Sequence, residues 1–272
     1  MGGGIAEVCA KAGVDTVVVE VSQDRAAAAK DAIEQSMAKA VSRNKLDEVD
    51  RDGALGRLTF ATDMSVLADR DLVVEAIVED LGVKKALFHD LDQVVKPEVI
   101  IATNTSTLPV VELAMVTQRP EQVCGIHFFN PAPMMRLVEV IRPITASDDT
   151  VATALAFAES CGKDAVEVKD RAGFVVNALL IPYILSAIRM MESGFATADD
   201  IDHGMVEGCN HPMGPLALAD LIGLDTTQAV AESLYEEFKE PLYAAPPLLS
   251  RMVEAGVLGR KTGRGFFEYP PR

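Results

Sequence analysis

At 272 residues, the chain is long enough to bury one large hydrophobic core or two smaller ones. Hydrophobic residues make up 49% and charged residues 24% of the sequence, as in ordinary globular proteins, and no apolar run is long enough to span a membrane. The formal net charge of -16 disfavours nonspecific binding to nucleic acid, which requires a positive surface. We therefore expect no nucleic-acid partner and no membrane partner, and, since no signal peptide is visible, a cytoplasmic location.

The first two-thirds of the chain alternates helical patterns with apolar, β-branched runs. In chain order, the sequence predicts a helix at 3–12, a strand at 16–21, a helix at 24–41, strands at 58–61 and 71–77, a helix at 83–94, a strand at 99–103, a helix at 107–115, and strands at 123–129 and 137–141. This alternation is typical of a parallel sheet covered on both faces by helices.

The pattern becomes helical after about residue 170. One long apolar helix is predicted at 173–192, a capping box at Thr197 and Asp200 precedes the next helix, and a helix over 214–238 is broken near Gly223. A last strand is predicted at 266–269. The predicted fold is therefore a doubly wound, Rossmann-type α/β domain over residues 1–170, followed by an all-α domain over 171–272.

The long apolar helix has more hydrophobic surface than a domain of about a hundred residues usually hides. Two interpretations stay open. The helix forms a homodimer interface through the C-terminal helical domain, or it is a buried central helix of one subunit.

The N-terminus carries the second half of a dinucleotide-binding fingerprint. Gly2 and its neighbours open a helix, and Glu20 follows the next strand, where a carboxylate that binds the cofactor ribose belongs. A carboxylate there favours NAD over NADP, because it would repel a 2′-phosphate. The first strand and the first two glycines are missing from this pattern. We therefore expect a sheet without its first strand, with poor stability or weak NAD binding. The alternative is a glycine-rich tail that binds nothing.

Polar residues cluster where the predicted strands end. Residues 103–107 follow one buried strand, and His127 begins a proline-containing turn after another, with Glu139 beyond it. A carboxylate on one imidazole nitrogen fixes the ring's tautomer and lets the other nitrogen act as a base. Taken singly, His127 could be a core histidine and Glu139 an exposed strand residue. However, a charge inside an apolar run is costly unless it is paired. We therefore predict that Glu139 pairs with His127, and that His127 is the general base for an alcohol oxidation that uses no metal.

The four cysteines, Cys9, Cys124, Cys161 and Cys209, include no Cys-x-x-Cys pair. Their spacing fits neither a disulfide framework nor a zinc site, so we expect free, mostly buried thiols. Cys124 precedes His127 by three residues and could be a nucleophile or a ligand, but no second ligand pair accompanies it.

Segments 103–108, 127–133, 137–141 and 173–180 resemble the short-chain 3-hydroxyacyl-CoA dehydrogenases of fatty-acid metabolism, and among these the bacterial 3-hydroxybutyryl-CoA dehydrogenases. Further matching segments are 74–79, 211–215, 223–227 and 259–266, so the resemblance covers essentially the whole chain. It implies an NAD-dependent, reversible oxidation of (3S)-3-hydroxyacyl-CoA to 3-oxoacyl-CoA, with a short acyl chain.

The resemblance also implies roles for individual residues. His127 would be the general base, Glu139 would orient it, and Ser106 and Asn177 would bind the 3-oxygen of the substrate. At the cofactor, the resemblance places Glu20, Glu79, Lys84, Asn104, Ser106, Asn130 and Lys261. Glu20 replaces the more common aspartate of the family.

One helix face would serve coenzyme A. The resemblance places Ser36 and Arg43 at the acyl-CoA substrate, and Lys39 shares their helix face. A cationic stripe there would suit the phosphates of coenzyme A, although a solvated helix face is the alternative.

Two other functions are compatible with the sequence. One is a dehydrogenase of the same fold that acts on a free hydroxy acid rather than a CoA ester. The other is a non-catalytic, CoA-binding or structural dimer that is inactive because the first strand is missing.

Overall fold

The computed structural model describes residues 1–270. The chain divides into two compact units, Met1–Asp170 and a second unit that begins at Arg171. Within the described residues, no helix has the length and apolar character needed to cross a membrane.

The first unit is an α/β domain, as predicted. Its strands are β1 (Thr16–Val19), β2 (Leu58–Ala61), β3 (Leu72–Glu75), β4 (Ile100–Thr103), β5 (Val123–Phe128), β6 (Leu137–Arg142) and β7 (Asp164–Lys169). Its helices are α1 (Gly2–Lys11), α2 (Gln23–Ser42), α3 (Glu48–Gly56), α4 (Leu81–Val94), α5 (Val110–Ala114) and α6 (Asp148–Ser160). Every element predicted for this region is present, but β7, α3 and α6 were not predicted.

The strands of the first unit form two sheets. β1 pairs with β2 in parallel, and the other five strands form one sheet in the order β3-β4-β5-β6-β7. No described strand pairs with the second edge of β1 or of β3. The sheet is thus interrupted at the place where the sequence led us to expect a missing strand.

The five-stranded sheet is mixed, whereas the alternation of strands and helices is typical of a parallel sheet. β3, β4 and β5 are parallel, but β6 runs antiparallel to β5, and β7 is parallel to β6. The reason is the short connection over residues 129–136. Parallel neighbours need a crossover of about a dozen residues or more, whereas an antiparallel pair does not. The reversal places β6 directly beside β5.

The second unit is helical, as predicted. Its helices are α7 (Val176–Glu192), α8 (Ala198–Cys209), α9 (Pro215–Ile222), α10 (Leu224–Phe238) and α11 (Pro247–Glu254). The predicted break is confirmed at Gly223, whose φ of 104° separates α9 from α10. Thr197 caps α8, since its hydroxyl accepts a hydrogen bond from the Asp200 amide at 3.2 Å.

The predicted strand at 266–269 is wrong. Only isolated bridges, such as Arg264 with Glu268, occur in this part of the described chain. The backbone amides of Phe266 and Phe267 instead donate to the Asp220 carboxylate, each at 3.0 Å. A buried carboxylate therefore takes the donors that a neighbouring strand would have used.

Candidate active site

Parallel strands β3, β4 and β5 end at one edge of the sheet, and polar residues stand at those ends. Glu75 ends β3, Thr103 ends β4, and the two residues are register partners. Ser106 follows in the loop after β4, and His127 is the penultimate residue of β5. The carboxyl ends of parallel strands are where open α/β sheets bind their ligands. This edge is therefore the first place to look for a reactive site.

His127 and Glu139 are paired, as predicted. They are direct cross-strand partners of β5 and β6, and His127 Nδ1 lies 2.9 Å from Glu139 Oε2. The Glu139 side chain is completely buried, and that of His127 nearly so. Because an ionised carboxylate only accepts hydrogen bonds, the pairing assigns the proton to Nδ1 and leaves Nε2 as the basic nitrogen. The arrangement gives a base of fixed orientation.

Glycine allows the two strands of this pair to pack closely. Gly125 lies on β5 opposite Ile141 of β6. A Cβ atom on Gly125 would lie only 2.8 Å from the Cβ of Ile141. A larger residue would force the strands apart two residues before His127. Gly125 thus helps to set the distance across the His127–Glu139 pair.

Ser106 lies against the basic side of the imidazole. Its Oγ is 3.1 Å from His127 Nε2, and the residue is only half-buried. The neighbouring Asn104 uses its side-chain oxygen to accept the Phe128 amide at 2.8 Å, which ties the end of β4 to the end of β5. A ligand oxygen at Ser106 would therefore also lie within reach of Nε2.

A partly buried ionic network supports the Ser106 loop. Glu75, Lys84 and Glu79 form it, with Lys84 Nζ 2.7 Å from Glu75 Oε1 and 3.2 Å from Glu79 Oε2. Glu79 and Lys84 were predicted from the sequence as cofactor contacts, but Glu75 was not predicted as a site residue. A signal was available, because Glu75 ends the apolar run of β3 and a lone charge in such a run needs a partner. Glu139 was predicted as a paired residue for the same reason.

The start of α1 lies at the same edge of the sheet and suits a phosphate. A Cβ on Gly2 would lie 3.8 Å from Ala76, and one on Gly4 would lie 3.4 Å from Ala132 and from Pro133. The first turn of α1 carries no acidic residue and no side-chain cap. The Gly4 amide already donates to the Met1 carbonyl at 2.9 Å, so an anion would be bound by the amides of Gly2 and Gly3. Glu20 directly follows β1, at the position of a ribose-binding carboxylate. These residues fit the phosphate and ribose parts of NAD.

The remaining predicted ligand contacts are distributed over other elements. Ser36 lies on α2, Arg43 caps that helix, and the exposed Asn130 belongs to the connection between β5 and β6. Asn177 lies on α7 in the second unit and is half-buried. The contacts of these residues with substrate or cofactor stay predictions.

Lys261, also in the second unit, already has an ionic partner. Its Nζ donates to both carboxylate oxygens of Asp225 at 2.5 Å. Partial burial alone would raise the pKa of Asp225, but the hydrogen bonds from Lys261 and from the Thr226 amide hold that pKa below its usual range. A contact between Lys261 and the cofactor, which stays a prediction, would have to compete with this pair.

Cys124 is not a reactive group of this site. Its side chain is fully buried, and this burial raises the pKa of the thiol to about 12. The thiolate, which is the nucleophilic and metal-binding form, is therefore disfavoured. Cys9 and Cys161 are buried as well, whereas Cys209 is exposed, so the expectation of free, mostly buried thiols is confirmed.

The chain matches known proteins over almost its whole length. Residues 1–171 match the model of the 3-hydroxyacyl-CoA dehydrogenase NAD binding domain, and residues 173–269 match that of the 3-hydroxyacyl-CoA dehydrogenase C-terminal domain. A 3-hydroxybutyryl-CoA dehydrogenase of Mycobacterium tuberculosis is 52% identical, over 99% of this chain and 95% of that protein.

Two solved structures are similar over the whole chain. The crystal structure of M. tuberculosis FadB2 has a TM-score of 0.97 at 52% identity. The match covers 99% of this chain and 95% of the FadB2 chain. The (S)-3-hydroxybutyryl-CoA dehydrogenase PaaH1 of Ralstonia eutropha has a TM-score of 0.96 at 44% identity, with coverage of 100% and 96%. Together with the paired histidine and glutamate at the strand ends, these matches show that the chain belongs to the 3-hydroxyacyl-CoA dehydrogenase family of NAD-dependent oxidoreductases.

Proposed function

We propose that this chain oxidises (3S)-3-hydroxyacyl-CoA to 3-oxoacyl-CoA reversibly, with NAD, and that 3-hydroxybutyryl-CoA is its substrate. The observation that carries the proposal is the alignment of Ser106, His127 and Glu139, in which Ser106 Oγ lies 3.1 Å from Nε2 and Glu139 lies 2.9 Å from Nδ1. The names of the similar proteins from M. tuberculosis and R. eutropha support the short acyl chain.

The chemistry follows from the two nitrogens of His127. In oxidation, Nε2 accepts the proton of the substrate's 3-hydroxyl group, while the Ser106 hydroxyl holds the same oxygen in place. When bound, NAD would accept the hydride from the carbon that carries this hydroxyl group. The ring then carries a positive charge, which the Glu139 carboxylate stabilises. In reduction, the imidazolium returns the proton to the 3-oxygen.

The other predicted contacts complete the proposal. We assign the adenosine ribose to Glu20 and the pyrophosphate to the start of α1 at Gly2. The nicotinamide half would lie along Glu79, Lys84, Asn104, Ser106, Asn130 and Lys261. Asn177 would add a contact to the 3-oxygen from the helical unit. Ser36, Lys39 and Arg43 would present a local patch for coenzyme A, which the chain's net charge of -16 makes necessary.

We also propose a homodimer through the helical unit. One face of α7 is used inside that unit, where Ile184, Leu185 and Ile188 are completely buried. Two other apolar residues of α7 remain outside, with Leu179 72% and Met190 41% exposed. Sedimentation velocity should give about twice the mass of one chain, and a monomer would contradict this proposal. The cytoplasmic location stays a prediction.

The decisive experiment is NADH consumption with acetoacetyl-CoA and, separately, with free acetoacetate. We expect turnover of the CoA ester alone. Comparable turnover of the free acid would favour a dehydrogenase of a non-CoA hydroxy acid. Binding of acetoacetyl-CoA without any turnover would favour the non-catalytic CoA-binding dimer.

The coenzyme A patch has its own test in Arg43→Glu. Losing a charge-assisted hydrogen bond costs about 1.5–3 kcal/mol, so we expect the KM for acetoacetyl-CoA to rise by roughly tenfold or more. The KM for NADH should not change. Arg25→Glu, at the opposite end of α2 and also exposed, makes the same charge change and is the control. Equal effects of both variants would mean that only net charge matters.

A further inference from the structure

The carboxylate of Glu75 is held from three directions at the end of β3. Its Oε1 accepts from Lys84 Nζ at 2.7 Å and from the Ile77 amide at 2.6 Å. Its Oε2 accepts from the hydroxyl of Thr103, the neighbouring strand's register partner, at 2.8 Å. The side chain is completely buried. So many donors on one buried carboxylate indicate a fixed anion rather than an accidental contact.

Lys84 links this buried anion to the edge of the site. Its side chain is 1% exposed, and its ammonium lies between Glu75 Oε1 and, at 3.2 Å, Glu79 Oε2. A buried ammonium needs a paired carboxylate, and Glu75 provides the fully buried one. Lys84 is itself buried, and its other ionic partner, Glu79, lies at the exposed edge of the site.

Glu79 is the exposed member of the network. Its side chain is 41% exposed, so its rotamer depends on the contacts it makes. Oε1 accepts from the Ser106 amide at 2.9 Å and from the Thr105 hydroxyl at 2.5 Å, while Oε2 faces Lys84. The loop that follows β3 is thereby tied to the loop that follows β4. The second loop carries the hydroxyl that faces His127.

We propose that Glu75 is a positioning residue: by fixing Lys84, it holds Glu79 against the Ser106 amide and so keeps the Ser106 hydroxyl at His127 Nε2. Glu75 touches neither substrate nor cofactor in this scheme. The inference rests on the proposed function for its kinetic consequence, but its structural consequence, a fixed Ser106 amide, does not.

Glu75→Gln keeps the size of the side chain and an acceptor for the Ile77 amide but removes the charge. Lys84→Met removes the link itself. Since a misplacement of about 1 Å can cost 10²-fold in rate, we expect each variant to lower kcat with acetoacetyl-CoA by roughly 10- to 100-fold. The KM for acetoacetyl-CoA should stay within about threefold, because a change felt at the reacting oxygen leaves uniform ligand binding intact.

Asp92→Asn is the matched control for a purely structural role. Asp92 is also a buried carboxylate in an ion pair, with Arg119 Nε at 2.7 Å, but that pair does not contact the Ser106 loop. We expect it to lose stability as Glu75→Gln does while kcat per folded molecule stays at the wild-type value. An equal loss of kcat in Asp92→Asn would overturn the inference.

Two further readouts separate positioning from packing. In a double-mutant cycle, Glu75→Gln with Glu79→Gln should be no slower than the worse single variant, because both break the same link. Independent, multiplying losses would overturn the inference. Amide hydrogen exchange at Ser106 should be at least about tenfold faster in Glu75→Gln and in Lys84→Met, and unchanged in Asp92→Asn.

The exchange measurement needs no turnover, so it tests the role of Glu75 even if the proposed function is wrong. An inactive wild-type chain would contradict that function, whereas unchanged Ser106 exchange in Lys84→Met would contradict the role of Glu75. If Glu75→Gln does not fold, Lys84→Met and its cycle with Glu79→Gln apply the same criteria. Wild-type kcat in a folded Lys84→Met variant would overturn the inference.

Discussion

Replacing His127 with glutamine should lower kcat with acetoacetyl-CoA and NADH by about 10²- to 10⁴-fold, the usual contribution of a positioned general acid or base. A glutamine amide can still form hydrogen bonds at this position. It cannot carry the proton that the 3-oxygen must receive in reduction. Because the contacts that we propose for coenzyme A and NAD involve other residues, both KM values should change little.

The test is steady-state NADH oxidation, together with a thermal unfolding curve that shows the variant to be folded. His89→Gln is the control. His89 lies exposed on α4, so this substitution makes the same chemical change outside the site. Wild-type turnover by His127→Gln would mean that another group moves the proton. A similar loss in His89→Gln would mean that the substitution acts through the fold.

The central strands and their reactive ends could be predicted because burial leaves a clear signal in sequence. β4 and β5 are buried at every position, so they appear as unbroken apolar runs whose ends are marked by polar residues. The pairing of His127 with Glu139 was predictable for a related reason. A charge within an apolar strand is tolerated only with a partner, and His127 was the available partner across the turn.

Two of the three elements that were not predicted, β7 and α3, lack this signal. β7 is an edge strand that mixes charged and apolar residues and buries only Val168. α3 is short, contains Gly53 and buries only Ala54. Local patterns are weak where so little side-chain surface is buried. The antiparallel direction of β6 was missed because periodicity gives no strand direction. The short connection that precedes β6 does.

The Glu75 network shows a further limit of sequence reasoning. Its three charged members lie on β3, on the loop after it and on α4, so only the packing of α4 against the strand end brings them together. Sequence could flag Glu75 as a costly charge but could not say whether Lys84 or some other cation would neutralise it. Partner choice among several candidate charges is a property of the fold.

Glu139→Gln should separate catalysis from stability. The glutamine oxygen can still accept the Nδ1 proton of His127, so the ring keeps its orientation. What is lost is the negative charge that stabilises the imidazolium formed during oxidation, and we expect kcat to fall by roughly 10²-fold or more. The free energy of unfolding should change little, because a neutral amide is easier to bury than a carboxylate.

Glu139→Ala should lower both kcat and the free energy of unfolding. It leaves Nδ1 without its carboxylate partner in a buried position, which costs about 1–3 kcal/mol of unfolding free energy in addition to the cavity. Urea unfolding and kcat, measured on both variants, give the comparison. Glu167→Gln on β7, whose side chain is 43% exposed, is the control and should change neither quantity. A Glu139→Gln variant that keeps kcat within about threefold would show that Glu139 only orients the ring; a loss of kcat at unchanged stability would show that its charge takes part in the reaction.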